Sequence, residues 1–128
     1  MELIVHPGPL AVCSLPPDAP WPPEPAVGAW LFSATRTPTE LSIVCPPADA
    51  PAGAAIESGW RALQVAGSLD FDLIGVLATL SDTLARASVS IFVLSTYATD
   101  AVLVKEVDLD RAVSALVADG HTVWEAPH

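Results

Sequence analysis

Six prolines fall within the ten residues Pro16 to Pro25, a stretch reading PPDAPWPPEP. Proline fixes φ and lacks the amide hydrogen that a helix needs, so this stretch cannot be helical. It is an extended crossing or a surface loop. Twelve of the thirteen prolines precede Trp60, which places the same restriction on the whole first half. Around the crossing, Leu10 to Leu15, Trp30 to Thr35 and Leu41 to Cys45 are short β-type runs bounded by Pro and Gly, with Thr37 and Pro38 turning between the last two. Ala48 to Ala55 is a small-residue connector with room for one helical turn.

From Trp60 onward the pattern becomes regular. It predicts strand over Trp60 to Val65, helix over Leu73 to Ala87, strands over Ser90 to Ser95 and Ala101 to Lys105, helix over Asp108 to Asp119, and strand over His121 to Trp124. The second helix carries Leu109, Ala112, Val113, Leu116 and Val117 on one face, opens at Asp108 and stops at Gly120. The order βαββαβ is the split βαβ arrangement of ferredoxin-like α+β folds, a four-stranded antiparallel sheet with both helices on one face. The chain thus divides into a strand-rich part, 1–59, and a regular part, 60–128. Ile91 to Leu94 and Ala101 to Val104 are apolar without alternation, so both faces of the inner strands avoid water. Either the first half or a second copy of the chain covers the face opposite the helices, and closed two-fold pairing makes a homodimer the expectation.

Charge narrows the partners. With 128 residues and 52% hydrophobic content the chain can bury a core, but it carries a net charge of −10 and only five Lys plus Arg. Nucleic acid and anionic membrane surfaces demand a basic face and are not expected partners. Cationic or zwitterionic partners stay open. No run is apolar enough to span a bilayer and the first residues lack a signal-peptide pattern, which points to a cytoplasmic protein.

Little in the sequence points to catalysis or to metal. Cys13 and Cys45 read as two buried thiols; a disulfide between their strands is geometrically conceivable but out of keeping with a cytoplasmic setting. His6, His121 and His128 have no metal-ligand spacing, and no cofactor is expected. Asp70 and Asp72 form an acidic pair without an acid-base partner, and Ser68, Ser95 and Ser114 have no histidine at a suggestive position. Most of Trp21, Trp30, Trp60 and Trp124 read as core or interface residues.

The segment Asp72-Leu73-Ile74-Gly75-Val76-Leu77 lies where a strand hands over to a helix. Two readings of it stand. In one, Asp72 caps the helix and Gly75 eases packing on the sheet. In the other, Gly75 lets a ligand approach the first turn, whose unpaired N–H groups favour an anionic group such as an α-carboxylate.

A βαββαβ unit whose first strand-to-helix turn reads Asp-x-x-Gly-Val-Leu resembles an ACT domain, the amino-acid-sensing regulatory module. Thr35-Arg36-Thr37-Pro38-Thr39-Glu40-Leu41-Ser42, and Leu94-Ser95-Thr96-Tyr97-Ala98-Thr99-Asp100 with Val102-Leu103-Val104, resemble the branch that holds the CASTOR-type sensors and small bacterial relatives. The likeness runs from about Trp30 to Leu116. It implies a ferredoxin-like ACT domain preceded by a degenerate ACT-like half whose first helix is replaced by the proline stretch. It also implies a ligand site between ACT units, touched by Asp72, Leu73, Ile74 and Gly75, by Ser90 and Ile91, and by Asp100. At that site a free amino acid, including a cationic one, would find N–H donors at the helix start, a hydroxyl on Ser90, and acceptors on Asp72 and Asp100. Asp100 reads equally as a turn residue between two strands. The resemblance implies a non-catalytic regulatory protein that binds an amino acid or similar metabolite and reports to a protein partner. Ala98 and Ala101 stand where a polar and an aromatic residue are expected, and they favour a second reading, an ACT scaffold kept for association without a ligand. A small ferredoxin-like enzyme is the third.

Overall fold

A computed structural model describes residues 1–25, 28–66 and 75–127. The chain forms two compact units, Gly8–Trp60 and a second built from Met1–Pro7 with Arg61–His128. The fold is mixed α+β and ferredoxin-like, as the element order predicts.

In Gly8–Trp60, β2 (Leu10–Leu15), β3 (Ser33–Arg36), β4 (Leu41–Cys45) and the first half of β5 (Ala55–Val65) pair in the order β3-β4-β2-β5. Every pairing is antiparallel. β2 advances two residues from Leu10 to Val12 while β5 uses three, from Trp60 to Glu57. Gly59 supplies the positive φ of +79° that this bulge requires. Ala11, Cys13, Leu41, Ile43 and Cys45 form the buried cluster, and Leu15, Phe32 and Ala19 of the proline stretch pack against it. None of Pro16 to Pro25 is helical. Instead, the Arg36 guanidinium on β3 holds the crossing by donating to the carbonyls of Pro17 and Ala19 and by stacking 5.7 Å above the Trp21 ring. The strand expected from Trp30 begins only at Ser33.

The other unit contains a strand that no sequence pattern announces. β1 (Glu2–Val5) pairs antiparallel with the second half of β5 and parallel with β8 (Thr122–Glu125). With β6 (Ile91–Ser95) and β7 (Asp100–Lys105) the order is β8-β1-β5-β7-β6. The expected four-stranded antiparallel sheet is therefore corrected: it gains a fifth strand, β1, which pairs parallel with β8. Both helices, α1 (Val76–Arg86) and α2 (Leu109–Ala118), lie on one face as expected. Their Leu80, Leu84, Ala112 and Leu116 close over Leu3, Val5, Leu63, Val65, Val102 and Val104.

Side chains from both ends of α2 also join it to the C-terminal end of α1. Asp119 accepts from Thr83 Oγ1 and from Arg86, each at 2.6 Å. Arg111 of α2 donates to the carbonyls of Ala87 and Ser88, which α1 leaves unpaired. Two other expectations are corrected. The helix foreseen from Leu73 starts at Val76, because Gly75 is left-handed and breaks the helical run; Leu73 and Ile74 lie outside the described residues. Val117 faces solvent. Of the tryptophans Trp60 is buried, while Trp21 and Trp124 are mostly exposed in the single chain.

Along β7, Ala101 to Val104 are all buried, as the lack of alternation predicts. β6 differs, since Ile91 to Leu94 are only half-buried. Among the described residues β6 pairs with β7 alone. It is an apolar strand at the edge of its sheet.

Candidate functional site

Gly75 is the N-cap of α1, with φ +83° and ψ +8°. Among the described residues nothing lies within 4 Å of where a side chain added there would begin, and the positive φ itself calls for glycine. The helical ladder opens with Thr79 N–H donating to the Gly75 carbonyl at 2.9 Å. Among the described residues no side chain caps this end and no acid occupies its first turn. The N–H groups of Val76 to Ala78 therefore keep the partial positive charge of a helix start. Asp72, Leu73 and Ile74 lie outside the described residues.

Asp100 opens β7, directly across from Ser95 at the end of β6. Its half-buried carboxylate accepts from Ser95 Oγ at 2.5 Å. The Ser-Thr-Tyr-x-Thr-Asp string is the hairpin turn itself. Thr96 N–H donates to the Thr99 carbonyl at 2.8 Å, and Thr96 Oγ1 accepts from the amides of Ala98 and Thr99. Tyr97 projects from the tip, 86% exposed. Thr99 Oγ1 then donates to the Val65 carbonyl at 2.7 Å. That bond ties the turn to the end of β5, where the chain leaves toward α1.

Ser90 and Ile91 lie elsewhere. Ser90 is exposed, and Ile91 sits across from Val104, at the far end of the hairpin from the Ser95 and Asp100 pair. Four residues of strand separate the two ends, about 13 Å. Within one chain, the hairpin register leaves Asp100 at the end tied to Val65 and Ile91 at the opposite end.

A second concavity escaped the sequence reading. On the sheet face away from the helices, Glu2, Ile4, His6, Ala66, Trp124 and Ala126 help line a groove of about 420 Å³. Ile4 and Trp124 are cross-strand neighbours, and His6 Nε2 is 2.7 Å from Gln64 Oε1. The sequence signal was only a short apolar run, Leu3 to Val5, after Glu2. Among the described residues no three His, Cys, Asp or Glu side chains converge as metal ligands. No described helix is long and apolar enough to cross a membrane.

Comparison with known proteins supplies the family. A crystal structure of a protein from Agobacterium tumefaciens is similar at 29% identity, over 99% of this chain and 94% of that one, with a TM-score of 0.86. A Vibrio cholerae protein of unknown function shares the fold at 19% identity, over 91% of this chain and 88% of that one, with a TM-score of 0.69. So does the aspartate kinase from Synechocystis, at 18% identity and a TM-score of 0.60, over 99% of this chain but 28% of the kinase. No curated protein matches. The model of the ACT domain matches residues 55–118, half of the chain and the span that holds Gly75, the hairpin and both helices, so the chain belongs to the ACT-domain family.

Proposed function

We propose that this ACT-domain protein is a non-catalytic, cytoplasmic regulator that binds a free amino acid or similar small metabolite between two copies of itself. The observation that carries the reading is β6, an edge strand with four consecutive half-buried apolar residues. Such an edge invites pairing with another strand. Two-fold antiparallel pairing centred on Val93 sets Ile91 of one copy across from Ser95 of the other. Ser90 and Ile91, remote from Asp100 within one chain, then come within two strand spacings of the other copy's Asp100, across its Ser95. Dimerisation thus assembles the residues that the family resemblance implies, with a hydroxyl from one copy and a carboxylate from the other. The uncapped start of α1, with Asp72, Leu73 and Ile74 before it, supplies donors for the ligand carboxylate.

Thermal unfolding of the protein with each of the twenty amino acids tests binding. A ligand at a hundred times its dissociation constant raises stability by about 2.7 kcal/mol. Leu94→Lys places a charge on the paired edge and gives a monomer that has lost the response. A monomer that still responds removes the ligand from the interface. A dimer that responds to none of the twenty favours the second reading, an ACT scaffold for association alone, for which the bond from Ser95 to Asp100 also speaks because it already occupies the carboxylate.

A further inference from the structure

We infer that the groove on the helix-free face of β1 and β8 is a binding site for a small organic cation, with Trp124 as its aromatic wall and Glu2 as its counter-charge. This site is separate from the one proposed at the β6 edge, because it lies on other strands. Three observations carry it. The first is shape: about 420 Å³ of open volume lies within the range of small-molecule pockets. Ala66 and Ala126 create it, since their methyl groups leave space beside a much larger indole.

The second is exposure. Trp124 is 54% exposed beside the half-buried Ile4, its partner across β1. Thr122 and Trp124 project from the same face of β8 as Glu2 and Ile4 do from β1, while Leu3, Val5 and Val123 turn to the helices. A bare indole beside a half-buried isoleucine is a surface that gains by being covered.

The third is charge. Glu2 is exposed on this face and forms no ion pair among the described residues. Among the described residues no Lys or Arg lines the groove. An anion meets only repulsion there, and a neutral apolar molecule leaves the carboxylate unused. An ammonium bearing methyl groups satisfies both walls, since its charge attracts the indole face and the carboxylate while its methyl groups cover Ile4. His6, fixed by Gln64, bounds the far end of β1 and limits the length of the occupant.

The test follows the indole N–H resonances of the protein by NMR during titration with choline. Trp124→Phe assigns the resonance. Its neutral isostere 3,3-dimethylbutan-1-ol has the same shape without the charge. Choline is expected to shift the Trp124 resonance saturably, the isostere to bind about three- to tenfold more weakly, and Glu2→Gln to narrow that gap. Equal binding of choline and the isostere overturns the proposal, as does a Trp124 resonance that choline leaves unmoved. A resonance that responds to protein dilution and not to choline assigns the groove to a second copy of the chain, and overturns it as well.

Discussion

Single residues in this chain do work that their type alone does not reveal. Cys13 and Cys45 are the clearest case. They sit diagonally across β2 and β4, since Cys13 faces Ile43 and Cys45 faces Ala11, and both are free and buried. Diagonal positions lie about 7–8 Å apart, wider than a disulfide usually spans. Burial pushes both thiols up, Cys45 to about 12, with Cys13 beside it as a further cause. Thiolate is the reactive form, so an aromatic disulfide reagent at pH 8 should label neither cysteine in the native protein and both in urea. Rapid native labelling of either would contradict the packing. Asp119 shows the opposite shift. The hydroxyl of Thr83, and then the guanidinium of Arg86, hold its carboxyl below the usual range. Its contribution is therefore present above the ordinary carboxylate pKa of about 4 and lost as pH falls through the lowered value. Asp119→Asn should flatten the acid limb of the stability profile, measured by urea unfolding, and converge with wild type in strong acid.

At the scale of elements, the helices were legible and the strand neighbours were not. The periodic leucines placed α1 and α2 because helical contacts repeat within a few residues. Leu80 and Leu84 are buried as that pattern requires. Leu84→Ala should cost about 2–5 kcal/mol in denaturant unfolding, the range for a leucine deleted from a core that cannot collapse around it. The start of α1 was misjudged because apolar spacing continues through Leu73, whereas glycine at position 75 adopts a left-handed conformation that spacing does not encode. Gly75→Ala forces that conformation on a residue with a Cβ and should cost about 1–2 kcal/mol, with Gly75→Asn milder, since no described residue packs where the new atom would sit. A loss well above this range would mean that the site is crowded. Of the seven candidate site residues, Gly75, Ser90, Ile91 and Asp100 could be placed. Their separation along the hairpin was invisible in sequence, because proximity across a strand register depends on where the turn falls.

The whole molecule turns on its first strand. Nothing in Glu-Leu-Ile-Val declares that four residues near one end of the sequence lie between β5 and β8, strands that begin about fifty and a hundred and twenty residues later. Strand order is a long-range property, and a short apolar run carries no address. Its energetic weight is nonetheless large. Leu3 and Val5 are almost fully buried in the core beneath both helices, and burying two such side chains is worth about 3–6 kcal/mol. Domains are stable by only about 5–15 kcal/mol, so the loss of these two side chains and of two ladders of hydrogen bonds removes a major share. A fragment of residues 60–128 carries the whole βαββαβ pattern and should still fail to fold cooperatively by circular dichroism and urea titration. Supplying residues 1–7 at its N-terminus through a flexible linker should restore a cooperative transition, because β1 then regains both neighbours. A fragment 60–128 that folds as stably as the full chain would show that β8 can pair directly with β5, and that β1 is an addition to the ACT sheet and not its centre.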